Sequence, residues 1–337
     1  MYMRIYTFFS ASTQSVAEGM VFAGKRDSAQ HVYMPILNRV STPTGTLRKH
    51  LRASRPRHAG RRALIVIGAV LALAALATTA VVAAQKSPRE FTWPTTGVAA
   101  LSVGDNVSVS PGADQERPMA SLAKLVTALV TLDRVPLEAG SAGPVLQLTD
   151  DDAAIVAEEG SQGGQTTPAA AGDVTSMRQL LAETLVASSN NAARSLVRHV
   201  FGDDGAYVFA ARRWLDAHGL PDVEIADATG LSPMTRGSAR DLLAIARLAD
   251  ASPIIRELSA SRTITLSDGR EFPSTNELLG TLGVDGLKTG HTDAAGYTIA
   301  FSADRGARRV VGVLLGSSSE AQRGTDVTRL LAQVANG

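Results

Sequence analysis

The sequence predicts a domain that mixes α-helices with an antiparallel sheet over residues 97–337, and three patterns carry that expectation. Leu122, Leu125, Val126 and Leu129 recur at helical spacing within 121–133. Near the C-terminus three apolar runs, 286–291, 297–303 and 310–315, are separated by short turns containing Gly or Asp, the signature of a strand meander. Upstream, the small apolar run 97–103 is followed by Gly104-Asp105-Asn106 and a candidate return strand at 107–110.

The remaining elements follow in chain order. Pro118 stands just before the first helix, where a missing N–H costs nothing. Gly160–Gly164 reads as a flexible loop; no phosphate-binding pattern surrounds those glycines. Asp150-Asp151-Asp152 lacks the glycine-spaced frame of a calcium loop and reads as a turn or helix cap. Helices are expected over 175–187 and 192–200, separated by Ser188-Ser189-Asn190-Asn191. Another follows over 239–248, with Ser238 as its N-cap, and a last one over 326–334. There is no internal repeat of 20–50 residues.

Composition narrows the chemistry. Hydrophobic residues make up 45% of the 337 positions, enough for a sizeable core. The absence of cysteine excludes a disulfide framework, a thiolate metal site and a cysteine nucleophile. No His-Glu-x-x-His occurs, which argues against a zinc peptidase. No metal or organic cofactor is expected.

The net charge of +1 hides an asymmetry. Residues 1–62 hold 11 Lys/Arg and two acids, whereas the rest holds 22 Lys/Arg and 30 acids. Between them, residues 63–84 (ALIVIGAVLALAALATTAVVAA) carry no charge. As a helix this run would span about 33 Å, sufficient for a bilayer core. Arg48, Lys49, Arg52, Arg55, Arg57, Arg61 and Arg62 crowd its N-terminal side. The positive-inside rule therefore puts residues 1–62 in the cytoplasm as a basic tail, 63–84 in the lipid bilayer as an anchor and the acidic remainder outside. A cleavable signal segment ending near Val82-Ala83-Ala84 is the alternative, and it gives the same exported domain. A nucleic-acid-binding arm would explain the arginines but not the apolar run, so no nucleic acid partner is expected. Residues 85–96, with two prolines, read as a linker, and Met20 and Met34 are alternative starts.

Three short motifs occur in order: Ser121-Leu122-Ala123-Lys124, Ser188-Ser189-Asn190 and Lys288-Thr289-Gly290. Each is weak alone; their order and spacing are not. On a helix, residues three apart share a face, so Lys124 stands beside Ser121. A serine hydroxyl needs a base to become a nucleophile, and a lysine can serve where burial and a neighbouring cation both lower its pKa. Lys288 is the candidate neighbour. Ser188 and Asn190 fall in a helix junction, where capping is the bland alternative. Gly290, in a strand, would let a substrate approach the backbone.

These motifs, with the stretches PMASLAKLVTALV and VDGLKTGHTDAAGY (284–297), resemble the serine D-alanyl-D-alanine carboxypeptidases, the low-molecular-mass penicillin-binding proteins. The resemblance covers about 97–337. It implies a β-lactamase/DD-peptidase-like fold: a five-stranded antiparallel sheet flanked by helices, plus an all-helical subdomain, with the site between them. It also implies a peptidoglycan stem peptide ending in D-Ala-D-Ala as substrate and β-lactams as inhibitors.

In that frame Ser121 is the nucleophile, Lys124 its base and Ser188 a proton relay, while Asn190 holds the substrate's peptide. Lys288 and Thr289 bind the substrate carboxylate, assisted by Arg323. The backbone N–H of His291 joins that of Ser121 in an oxyanion hole, with its imidazole idle. Ser189 and Asn191 depart from the family's usual Gly and Asp. Many relatives carry a further C-terminal β domain and an amphipathic anchor; this sequence ends soon after Gly290, so neither is expected, and 63–84 would take the anchor's place.

A serine β-lactamase is the first alternative. Glu224 lies at a suggestive distance after Asn190, but position 228 is Ala228 where an Asn would be needed. A non-catalytic wall-binding protein is the second, and it has no need of a nucleophile–base pair. Neither endopeptidase nor carboxypeptidase trimming is singled out by sequence.

The charge asymmetry generates a topology prediction. Protease added to intact cells should digest the domain beyond residue 97 and spare the basic tail. A C-terminal domain protected from an accessible protease would contradict the assignment.

Overall fold

Runs of small and β-branched residues build the centre of the molecule. The computed structural model describes residues 91–138 and 140–335. In it β1 (Val98–Val103) pairs with β2 (Asn106–Val109). Short strands follow: β3 (Arg117–Pro118), β4 (Val145–Gln147), β5 (Val174–Ser176), β6 (Arg236–Gly237), β7 (Thr263–Thr265) and β8 (Glu271–Pro273). They make three two-stranded ribbons, β3 with β6, β4 with β5 and β7 with β8. Then β9 (Val284–Thr292), β10 (Gly296–Arg305) and β11 (Arg308–Ser317) form the expected meander. The main sheet has five strands in the order β2-β1-β11-β10-β9, every neighbouring pair antiparallel. The edge strand β9 carries Lys288-Thr289-Gly290.

Eight α-helices are present among the described residues. They are α1 (Ala123–Arg134), α2 (Asp150–Ser161), α3 (Met177–Leu185), α4 (Asn190–Phe201), α5 (Asp204–Ala217), α6 (Ala239–Ala251), α7 (Pro253–Ser259) and α8 (Glu320–Ala335). Side-chain caps set several starts: Ser176 for α3, Ser189 for α4, Asp203 for α5 and Ser238 for α6.

The structure departs from the sequence expectation at four helices. α2 runs through Gly160, where a loop was expected. Its start is fixed by a capping box between Thr149 and Asp152, and Asp150–Asp152 form its first turn, beside the positive end of the helix dipole. α5 is an additional helix, with Tyr207, Ala211, Trp214 and Leu215 as its buried stripe. α7 is a short addition with Pro253 at its start. α8 begins six residues earlier than the apolar pattern indicated, because its first turn is polar and carries Glu320 and Arg323.

Strand alternation explains why the sheet needs helices on both faces. Val98, Ala100, Leu287, Ala300, Val311, Val313 and Leu315 join one core with residues of α1, α3, α4 and α6. Ala99, Leu101, Ile299, Phe301, Ala303, Val310 and Leu314 join a second core against Val327, Leu330, Leu331 and Val334 of α8. Successive side chains point to opposite faces, so a strand covered on both sides reads as a continuous apolar run. Gly312 lies beneath Phe301; a Cβ there would collide with the ring.

No helix among the described residues is long and apolar enough to cross a membrane. The basic tail 1–62, the apolar run 63–84 and residues 85–90 of the expected linker lie outside the described residues. Residues 91–93 are more ordered in their contacts than a linker requires. Phe91 is buried in the second core and packs on Trp93, ring centroids 5.2 Å apart. Thr92 exchanges two hydrogen bonds with the side-chain amide of Gln333 in α8.

Phe91 therefore contributes to the fold. Phe91→Ala should destabilise the domain by about 3 kcal/mol, the lower end of the range for buried Phe→Ala changes. Urea unfolding followed by fluorescence checks this; a change below about 0.5 kcal/mol would return residues 91–93 to the linker.

Candidate active site

The nucleophile candidate sits at a strained helix start. A 3₁₀ turn, Ala120–Leu122, precedes α1, and Ala120 has φ 50°. A non-glycine residue in the left-handed region costs roughly 1 kcal/mol or more and persists only where its surroundings dictate it. Here Gly230 lies against the Ala120 carbonyl, so close that any Cβ at position 230 would collide with it. On the other side Gly290 of β9 faces the turn; a Cβ there would stand 2.8 Å from the Ser121 nitrogen. Both glycines are required by close approach of backbone to backbone.

One turn further on, Lys124 is fully buried. Its Nζ lies 2.9 Å from Ser121 Oγ, 2.6 Å from Asn190 Oδ1 and 2.9 Å from the Thr229 carbonyl. Burial pushes its pKa down to about 7, against the negative charges of Asp227 and Glu159, which favour the ammonium. Of the two causes expected, burial and a neighbouring cation, burial is the larger. Lys288 is itself buried, and burial together with the cations Lys124 and Arg323 pushes it well below the usual lysine range.

The acceptors around Lys124 are held from behind. Asn190 donates through Nδ2 to Glu159 Oε2 at 2.9 Å, so its oxygen and one N–H are already engaged. Glu159 is buried and accepts from Arg194 as well. The Asn190 amide, expected to hold the substrate's peptide, also bridges Lys124 to Glu159, with one N–H remaining. Gly164 makes room for this bridge, since a Cβ there would collide with Asn190 Nδ2.

The Thr229 carbonyl is placed by Asp227. Its carboxylate accepts from the N–H and hydroxyl of Thr229, from the N–H groups of Gly230, Leu231 and Ser232, and from the Thr235 hydroxyl. Burial alone would raise the Asp227 pKa; these hydrogen bonds outweigh it and hold the carboxyl below its usual range.

Ser188 has φ 59°, the second strained residue of the site. Ser189 rather than Ser188 or Asn190 is the helix cap, accepting from the Ala192 N–H. It also bonds to Thr167 Oγ1 and Asn191 Oδ1, and Thr167 donates to Glu183. The two positions that depart from the family pattern, Ser189 and Asn191, thus belong to one buried polar network behind the junction.

A cleft of about 240 Å³ opens over these groups. Ser121, Ser188, Asn190, Thr289, Gly290, His291 and Arg323 line it. Lys124 and Lys288 lie behind its wall. Lys288 Nζ donates to the Thr289 carbonyl at 2.8 Å, so it braces the strand instead of presenting an open charge. Thr289 Oγ1 bonds Thr275 Oγ1 at 2.8 Å. His291 is exposed, and its imidazole packs at a tilt against Tyr297, centroids 4.1 Å apart.

Arg323 is only 2% exposed. It is held by Glu277 at 2.7 Å, by Glu320 at 3.0 Å and by the Thr298 carbonyl at 3.3 Å. Glu224 is exposed and absent from the cleft lining. Among the described residues no cluster of His, Asp and Glu has metal-binding geometry.

Sequence reasoning did not single out Glu159, Asp227, Glu277 or Glu320. Asp227-Ala228-Thr229-Gly230 carried a usable signal, an Asp whose side chain bonds the backbone of a following turn. Glu320, three residues before Arg323, carried the weaker signal of a helical pair, and Glu159 and Glu277 carried none.

The family model described as D-alanyl-D-alanine carboxypeptidase matches residues 104–319. The D-alanyl-D-alanine carboxypeptidase DacD of Escherichia coli K12 is 30% identical over 221 residues, covering 64% of this chain and 56% of that protein. A D-alanyl-D-alanine endopeptidase from the same strain is 27% identical over 236 residues, covering 66% and 71%. Penicillin-binding protein D2 from Listeria monocytogenes, solved in a cefotaxime-bound form, superposes with a TM-score of 0.60 at 27% identity, covering 73% and 99%. The chain spans just over half the length of DacD. A buried lysine bonded to a serine of the cleft wall beside an edge strand, and a family match over most of the domain, lead to one conclusion: the chain belongs to the D-alanyl-D-alanine carboxypeptidase family.

Proposed function

We propose that this protein is a serine D-alanyl-D-alanine carboxypeptidase that trims the terminal D-alanine from peptidoglycan stem peptides. The observation that carries the proposal is the buried Lys124 amine, pushed to about 7, at 2.9 Å from Ser121 Oγ. Near neutral pH a large fraction of such a lysine is unprotonated, and its lone pair can accept the serine proton.

The steps follow from the placement of these groups. Ser121 Oγ bonds to the carbonyl carbon between the two D-alanines as its proton passes to Lys124. Negative charge on the carbonyl oxygen is met by the backbone N–H groups of Ser121 and His291. The C–N bond then breaks; the proton held by Lys124 reaches the departing amine by way of Ser188, and D-alanine leaves. Water attacks the resulting ester, returning a proton to Ser121 Oγ. Arg323 and Thr289 hold the terminal carboxylate, and Lys288 supports Thr289 through its carbonyl. A β-lactam enters by the first of these steps and acylates the same serine.

A β-lactamase reading gains no support from Glu224, which stands outside the cleft. In the reading proposed here the exported domain works at the cell wall, tethered through residues 63–84 with residues 1–62 inside.

Three measurements test the proposal. Penicillin should add covalently to the peptide containing Ser121, and Ser121→Ala should abolish the adduct; an adduct on another serine would overturn the assignment. Lys124→Arg keeps a cation that cannot give up its proton, so the acylation rate should fall by about 10²–10⁴-fold in a folded protein. A loss below about tenfold would reject Lys124 as the base.

The pH dependence has a defined sign. The active form is the neutral amine, so acylation should rise about tenfold per unit at acid pH and level off above about 7. A rate that is flat or falls across this window would mark Lys124 as a fixed cation.

A further inference from the structure

The charged groups on the cleft wall are few. Apart from the histidine, the lining residues carry one base and one acid, Arg323 and Glu320, in the first turn of α8. Both lysines of the motifs lie behind the wall. Arg323 therefore dominates the recognition of anions, yet most of its donors are engaged. Nε and Nη2 face the two oxygens of Glu277, Nη2 also faces Glu320, and Nη1 faces the Thr298 carbonyl. Of five guanidinium N–H groups, one on Nη1 is left for a ligand. The cluster of one guanidinium and two carboxylates is net negative. The two acids differ in freedom: the Glu320 side chain is 62% exposed, that of Glu277 34%.

A leaving amino acid with only a carboxylate meets an arginine already neutralised, and it gains a full ion pair only by displacing Glu320. A leaving amino acid that also carries a side-chain ammonium can pair its carboxylate with Arg323 and its ammonium with Glu320. No charge is then left unmatched. We propose that Glu320 and Arg323 together read a leaving residue that carries both a carboxylate and a side-chain ammonium, so that such a D-amino acid is preferred over one with an uncharged side chain. The inference rests on the peptidase reading, in which Arg323 marks the leaving-group end, and it makes Glu320 a specificity-determining residue.

The test uses the full-length protein and three acyl-D-Ala-X peptides, with X being D-lysine, D-norleucine or D-alanine. D-Norleucine matches most of the lysine side chain without the charge. Wild type should show kcat/KM about threefold to fivefold higher for D-lysine than for D-norleucine at low salt, as expected for a partly exposed ion pair. The ratio should shrink in high salt. Glu320→Gln should bring it to about one and raise kcat/KM for the D-norleucine and D-alanine peptides, because Arg323 is released. Penicillin acylation of Ser121, read by mass, establishes that the variant is folded. A wild-type ratio of one or less, or a ratio unchanged by Glu320→Gln, would overturn the proposal while leaving the peptidase reading intact. Failure to cleave all three peptides would remove that reading, and this proposal with it.

Discussion

A buried amine governs this site. Lysine is expensive to bury unless each N–H finds an acceptor, and two of the three acceptors of Lys124 come from distant parts of the chain. Ser121 is one turn away, Asn190 heads α4, and Thr229 lies in the loop after α5. Each must arrive within hydrogen-bonding range of one nitrogen. Much of the local architecture serves that requirement. Asp227 fixes the Thr229 loop with six hydrogen bonds, Glu159 fixes Asn190, and Gly230 and Gly164 remove the side chains that would hold the segments apart.

The same constraint accounts for the two left-handed residues beside the cleft. Ala120 and Ser188 pay a conformational penalty, and both flank groups that must reach the cleft, Ser121 and the Asn190 junction. The strain is local and is held by tertiary packing: the Ala120 carbonyl is closed in by Gly230, and the Ser188 turn is backed by Ser189, Thr167 and Glu183. Burial of Glu183 raises its pKa even though Thr167 and Gln179 donate to it, a sign of how dry this backing network is.

Much of this could be read from sequence. Helical spacing joined Ser121 to Lys124, and the apolar runs of β9, β10 and β11 announced a meander whose edge strand carries Gly290. What sequence could not supply was depth and partnership. Lys288 looks like a charge offered to substrate until the structure puts its nitrogen on the Thr289 carbonyl behind the wall. Glu159 and Glu277 sit far along the chain from the groups they pair with, and nothing in their immediate neighbours marks them; Glu320 pairs within its own helical turn with Arg323. α5 did have a readable stripe in Tyr207, Ala211, Trp214 and Leu215. The first turn of α8 escaped for the opposite reason, since its polar residues face the cleft and not the core.

Helix α8 also gives the domain a mechanical character. The segment at Phe91 and Thr92 is fastened to the carboxyl half of this helix through the second core and Gln333, whereas its amino end carries Arg323 and Glu320. Sixteen residues of helix amount to a strut of about 24 Å. A displacement of the segment at residue 91 is therefore passed to that strut as well as to the central sheet. The segment at residues 91 and 92 and the rim of the cleft thus meet the two ends of one stiff rod, and a displacement of the segment would be felt at the site as a displacement of Glu320 and Arg323.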